Sequence, residues 1–145
     1  EGVQKGAKIL MSPAQRAYMD IKYDSITRIG LMWAGLTEVD EAYNWALENY
    51  QEGISKENII GIEAPLWTET VQTMNDIEYM VFPRVLGFAE IGWTPTSQRN
   101  WEEYKVRLGK HKDRFDALEI DFYPSELVPW VPSKTAQEKE IRIKP

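Results

Sequence analysis

Ile59-Ile60-Gly61-Ile62-Glu63-Ala64-Pro65-Leu66-Trp67-Thr68-Glu69-Thr70 is the stretch whose reading decides the fold. Residues 59–62 form a short apolar run without alternation, the pattern of a strand buried on both faces. Two further runs of the kind lie upstream. Lys8-Ile9-Leu10-Met11 is closed by Ser12-Pro13, and Gly30-Leu31-Met32-Trp33-Ala34-Gly35 is bracketed by glycines. Helical patterns separate and follow these runs, so the expected class is α/β, with parallel strands covered by helices. A complete (β/α)₈ barrel needs roughly 250 residues. The 145 residues here, with about three strands, predict the C-terminal portion of a TIM-type barrel that is incomplete.

The helices have identifiable starts and stops. Thr37-Glu38-Val39-Asp40 reads as a capping box with Thr37 as N-cap. Val39, Ala42, Tyr43, Ala46, Leu47 and Tyr50 then share one helix face, with Gly53 as the stop. Residues 76–92 read as a largely buried helix that Pro83 bends or breaks. Asn100 caps a further helix, with Glu103 reaching back, and Trp101, Tyr104, Leu108, His111, Phe115 and Leu118 follow three-four spacing. Residues 17–24 suggest a loop or short strand. Beyond Tyr123-Pro124, the prolines at 129, 132 and 145 predict a tail leaving the domain.

Six Trp, seven Tyr and 43% apolar residues suffice for a core. A net charge of −6 and a pI near 4.9 leave no basic patch for nucleic acid. The loose basic group at residues 105–114 is interleaved with acids and reads as a solvated helix face. No apolar run approaches a membrane span. There is no Cys, which excludes disulfides, thiolate ligands and Cys nucleophiles. That absence does not fix the compartment. The localisation is unknown from the chain, with an exported bacterial parent (periplasmic, secreted or surface) as the expectation. The chain opens on Glu1-Gly2-Val3, which reads as a trimmed piece of a longer parent.

Three segments carry candidate chemistry. Trp67 and Glu69, two residues apart after a strand, point to one side. They give a flat apolar wall beside a strong acceptor, the combination that holds a sugar ring. Tyr18 and Asp20 have the same spacing, and Trp33 closes the third segment. Each of these residues also has a plainer reading taken alone: Trp67 as core, Glu69 as a surface acid, Tyr18 and Asp20 as a loop tyrosine and a cap, Trp33 as barrel interior. Trp93, Trp101 and Trp130 read as packing residues, and His111 as helix packing. Glu63, inside a buried strand, needs a partner, for which Arg84 is the candidate.

In order, Ala17-Tyr18-Met19-Asp20, Leu31-Met32-Trp33-Ala34-Gly35 and Pro65-Leu66-Trp67-Thr68-Glu69 closely resemble the last part of the catalytic barrel of family 20 glycoside hydrolases, the β-N-acetylhexosaminidases. The resemblance continues through Asp76-Ile77-Glu78-Tyr79-Met80-Val81-Phe82-Pro83-Arg84 and Ala89-Glu90-Ile91-Gly92-Trp93-Thr94-Pro95 into the helix from Trp101. It implies residues 1–130 as the C-terminal part of the barrel and 131–145 as tail or linker. It implies cleavage of terminal N-acetylglucosamine or N-acetylgalactosamine by substrate-assisted retention, in which the substrate's acetamide oxygen is the nucleophile.

By the same resemblance, Tyr18 is the catalytic phenol that aims the acetamide oxygen. Asp20 takes sugar hydroxyls with the Trp33 indole alongside, Trp67 walls the acetamide pocket, and Glu69 accepts ring hydroxyls. No cofactor or metal is implied; the partner is an N-acetylhexosamine-terminated glycan. The family's adjacent Asp-Glu pair, orienter and general acid, is expected outside these residues, since Val39-Asp40-Glu41 opens a helix after Trp33. The isolated chain is therefore expected to be inactive and to self-associate through exposed strand edges. The competing expectations are a non-catalytic carbohydrate-binding module and a structural module.

Overall fold

The computed structural model describes residues 2–132. β1 (Ile9–Met11) and β2 (Ile59–Ile62) pair in parallel, with Ile9 opposite Ile59, Leu10 opposite Gly61 and Met11 opposite Ile62. The register slips after Ile9. Glu63 extends the ladder by donating its N–H to the Met11 carbonyl at 2.9 Å. The side chain of Glu63 is exposed, so it has no need of Arg84, which is buried among carbonyls instead. The third apolar run forms no strand. Leu31 makes one parallel bridge to Ile21, and positive φ at Gly30 (104°) and Gly35 (102°) curls the segment out of an extended path. The sheet of the described residues thus has two strands, fewer than expected.

α1 (Ala14–Ala17) follows β1. α2 (Val39–Tyr43) begins one residue later than the capping-box reading predicts, because Glu38 is the cap. The Glu38 carboxylate accepts the Val39 N–H at 2.6 Å, and Glu41 reaches back to the Glu38 N–H at 3.3 Å. Thr37 is buried and donates its hydroxyl to the Gln15 carbonyl at 3.2 Å. The helix stops well before Gly53. Arg99 takes the carbonyls of Tyr43 and Trp45 at 2.8 and 2.6 Å, the acceptors another helical turn would need.

α3 (Met74–Val81) and α4 (Arg84–Trp93) are separated at Pro83, as the missing N–H of proline requires. Thr73 and Asp76 box the α3 start: the Thr73 hydroxyl accepts the Asp76 N–H at 3.2 Å and Asp76 accepts the Thr73 N–H at 3.0 Å. Hydrogen bonding from the Thr73 hydroxyl, with the Gln72 and Thr73 N–H groups and the Arg28 charge behind it, holds the Asp76 carboxyl below its ordinary value. α5 (Trp101–Gly109) starts at Asn100, whose Oδ1 accepts the Glu103 N–H at 3.2 Å. The predicted single helix breaks after Gly109, and α6 (Lys112–Ala117) is separate. The cause is the returning chain: Val131 donates its N–H to the Gly109 carbonyl, and the Pro129 backbone fills the space a Cβ at Gly109 would occupy.

Residues 123–130 therefore form a strap rather than a tail. Ser125 and Val128 are buried, Tyr123 stacks on Tyr23 at 3.9 Å, and Trp130 donates its indole N–H to the Ser125 carbonyl at 2.9 Å. The expectation for 131–145 falls almost wholly outside the described residues. α4 packs on both α2 and β2. At its centre Tyr43 and Tyr104 stack at 4.1 Å beside Gly87, where a Cβ would lie 3.3 Å from the Tyr104 hydroxyl. Trp101 and Trp130 pack against this core. Trp93 does not; it closes α4 with 90% of its surface exposed. Half-buried His111 lies against Phe115. Among the described residues no helix is long and apolar enough to cross a membrane.

Candidate active site

Three connections converge past the C-terminal ends of the two strands. After β1 and α1, Tyr18 turns the chain extended (φ −76°, ψ 119°). Met19 donates its N–H to the Pro65 carbonyl, just beyond β2, at 2.8 Å. Leu31 donates its N–H to the Asp20 carbonyl at 2.8 Å and accepts the Lys22 N–H at 2.9 Å. Gly30 donates its N–H to the Thr70 hydroxyl at 3.0 Å. The Tyr18, Trp33 and Trp67 segments are thereby laced together by main-chain bonds.

Their side chains meet. The Tyr18 ring lies 6.1 Å from Trp33, edge to face, and 6.1 Å from Trp67, tilted. Both indoles remain open to solvent, Trp33 at 66% and Trp67 at 52% exposed, although neither is polar enough to prefer water. Asp20 sits beneath with 1% of its surface exposed. Its Oδ1 accepts the Trp67 N–H at 3.4 Å, while its Oδ2 is buried with no protein partner. Burial pushes the Asp20 carboxyl above its ordinary value, and the nearby Glu69 charge adds to the push. The main-chain bond to Trp67 and the Arg84 charge oppose it. Glu69 itself is exposed.

Tyr18, Asp20, Trp33 and Trp67 thus share one surface, with Glu69 close enough to act on Asp20 through its charge. A carboxylate oxygen without a donor inside an aromatic frame suits a ligand that brings hydroxyl or amide protons and a flat apolar face. Among the described residues no group of three His, Cys, Asp or Glu side chains could hold a metal ion. A groove of about 480 Å³ between β2 and the end of α4 is lined by none of these five residues.

Sequence reasoning misses two contributors, Thr70 and Arg84. Thr70 is invisible because its role is to accept one main-chain N–H. Arg84 carried a signal in hindsight: a lone cation between Pro83 and Val85-Leu86-Gly87-Phe88 at the start of a buried helix.

Comparisons with known proteins identify the family. The family model of glycosyl hydrolase family 20, catalytic domain, matches residues 1–96. A beta-N-acetylhexosaminidase of Cellulomonas fimi is 39% identical over 127 residues, 88% of this chain and 26% of that protein. The N-acetyl-beta-hexosaminidase of Streptomyces plicatus, solved with Thio-NAglucal, superposes with a TM-score of 0.87 at 44% identity, covering 90% of this chain and 26% of that one. The exo beta-N-acetylglucosaminidase of Vibrio harveyi, solved with N-acetylglucosamine, gives a TM-score of 0.73 at 30% identity, covering 82% and 19%. The chain spans about a quarter or less of the length of these relatives. It belongs to glycosyl hydrolase family 20, within whose catalytic domain its first 96 residues fall.

Proposed function

We propose that this chain is a portion of a retaining, substrate-assisted β-N-acetylhexosaminidase that removes terminal N-acetylglucosamine or N-acetylgalactosamine from glycans. The observation that carries the reading is the buried, partnerless Oδ2 of Asp20 beneath the Tyr18, Trp33 and Trp67 rings. Leaving such an acceptor unpaired costs about 1–3 kcal/mol, which a sugar hydroxyl offsets on binding. The names of the relatives point to the same substrate class.

In this reaction the substrate's acetamide oxygen attacks the anomeric carbon as the glycosidic C–O bond breaks and the aglycone leaves protonated by the general acid, forming a bicyclic oxazolinium that water then opens with net retention. Tyr18 donates its phenolic O–H to the acetamide oxygen and holds it on line. Trp67 walls the acetamide and supports the ring face. Asp20 and Glu69 accept hydroxyl protons at the outer part of the ring, with the Trp33 indole alongside Asp20. The general acid Glu and the neighbouring Asp that orients the acetamide N–H lie outside these residues in this reading.

The test is turnover of an aryl N-acetylglucosaminide by the full-length protein, with the anomer of the released sugar followed by NMR. Release of the β-anomer first, with a thiazoline mimic of the oxazolinium as a tight inhibitor, is the expected result. Inversion, or no thiazoline inhibition, would overturn the substrate-assisted mechanism.

A further inference from the structure

We infer that Arg84 is a positioning residue, whose guanidinium sets the aim of Tyr18 and Asp20 by holding the carbonyls of Met19 and Ile21 that alternate with them. The inference rests on the sugar-binding role proposed for those two side chains. Arg84 opens α4 with 1% of its surface exposed, and among the described residues no carboxylate is bonded to it. Its Nη1 donates to the carbonyls of Ile21 at 2.8 Å and Thr37 at 3.0 Å. Its Nη2 donates to Met19 at 2.7 Å and Met80 at 2.8 Å. The plane lies over the Tyr23 ring, 3.7 Å from its centre.

A buried charge is ordinarily matched by an opposite one. Here its hydrogen-bond partners are four carbonyls from three stretches of chain, and two of these belong to the segment bearing Tyr18 and Asp20. That segment is a turn, in which Ile21 donates its N–H to the Tyr18 carbonyl at 3.4 Å. Pro65 and Leu31 bond its Met19 N–H, Asp20 carbonyl and Lys22 N–H. The Met19 and Ile21 carbonyls face the buried guanidinium, and buried main-chain acceptors need donors. Arg84 supplies both. With those two carbonyls held, the turn is fixed by Arg84 as well as by Pro65 and Leu31; without them it can shift, and the side chains at 18 and 20 shift with it. A misplacement of about 1 Å can cost on the order of 10²-fold in rate. Lysine cannot substitute, since its N–H groups diverge from a single nitrogen and do not form the planar fork.

The test is Arg84→Lys in the full-length protein, alone and with Tyr18→Phe, read by steady-state kinetics on an aryl N-acetylglucosaminide and by amide hydrogen exchange. Arg84→Lys should lower kcat about 10–100-fold in protein that remains folded by circular dichroism. Adding Tyr18→Phe should cost no more than about threefold beyond the worse single variant, because the phenol is already misaimed. Exchange should quicken at the Met19, Lys22 and Leu31 amides while the β1–β2 ladder stays protected. A merely structural role would lower the melting temperature, leave the kcat of folded molecules intact and let the two substitutions multiply; that result overturns the inference. If the unaltered protein turns over no N-acetylhexosaminide, the proposed function falls, and Arg84 is judged by exchange alone, unchanged protection at Met19 and Leu31 counting against it. If Arg84→Lys does not fold, Tyr23→Leu, which removes the ring under the guanidinium, must show the same non-additivity with Tyr18→Phe, and multiplying effects overturn the role.

Discussion

The main-chain N–H of Trp67 donates to Oδ1 of Asp20 over 3.4 Å, joining positions 47 residues apart. The bond turns one carboxylate oxygen toward the Trp67 main chain, while the other is buried without a protein donor. It also fixes the height of the Trp67 indole relative to the acid. An aromatic wall and an acceptor that are tied to each other need not be ordered at the moment a sugar arrives, which lowers the entropic cost of binding.

Tyr18→Phe and Glu69→Gln in the full-length protein should affect different kinetic constants. Under the proposed mechanism the phenol bond strengthens as the acetamide oxygen becomes a nucleophile, so Tyr18→Phe should lower kcat more than it raises KM. In the proposed reading Glu69 contacts remote hydroxyls already in the ground state, so Glu69→Gln should act mainly on KM. Steady-state kinetics decide it. Equal loss of affinity for substrate and for a thiazoline in Tyr18→Phe would remove the role given to the phenol.

Acidification should weaken N-acetylglucosamine binding with a midpoint above the ordinary carboxylate value of 3.8. The sign follows from burial. The folded-state value of Asp20 is raised, so its proton returns at a higher pH than on an exposed carboxyl, and a protonated Oδ2 accepts hydroxyl protons poorly. The same shift makes the charged side chain a destabilising element at neutral pH, relieved as pH falls through the folded value. Asp20→Asn should therefore bind sugar weakly at all pH values, yet melt at a higher temperature. Isothermal titration and calorimetry across pH 4–7 test both halves.

Gly30→Ala should damage stability and site together. Gly30 has φ of 104°, and a Cβ there would lie 2.7 Å from Met80 Cε and 2.9 Å from the Asp20 carbonyl oxygen. The methionine tip can move; the carbonyl cannot without shifting Asp20. A loss of about 2 kcal/mol or more is expected, with a rise in KM measured on protein that remains folded. Unchanged KM would show that the Asp20 backbone tolerates the push.

Residues 1–145 alone should release no aryl aglycone, since acid catalysis contributes typically about 10²–10⁴-fold and the acid is proposed to lie elsewhere. They should also self-associate. Among the described residues β2 pairs with β1 alone, Ile60 on β2 is exposed, and Trp93 stands open at the end of α4. Light scattering at micromolar concentration should show dimers or larger species, diminished by Trp93→Ser. A monodisperse monomer with a cooperative melt would refute the association.

The sequence disclosed what depends on local pattern and left out what depends on distant acceptors. β2 has the predicted bounds because Ile59-Ile60-Gly61-Ile62 is a bare apolar run between polar residues, and the break at Pro83 follows from a missing N–H. The end of α2 was hidden because it is set by Arg99, and the break after α5 because it is set by Val131 and Pro129. Both act through main-chain carbonyls, which every residue possesses, so composition carries no trace of them. Within the site the same rule applies. The rings at 18, 33 and 67 are conspicuous letters, whereas Arg84 works on backbone and was assigned to Glu63 by charge alone.

The stack of Arg84, Tyr23 and Tyr123 has a consequence for how the chain comes off the ribosome. Tyr123 reaches back 99 residues to hydrogen-bond Asp24 while its ring covers Tyr23. At about 5–20 residues per second, synthesis leaves that interval open for roughly 5–20 s. Throughout it the Tyr18–Asp20 turn has no lid over Tyr23, and for most of it no guanidinium beneath. The surface proposed to face the sugar is thus made well before the residues that complete its packing, a window in which chaperones have most reason to attend to this stretch.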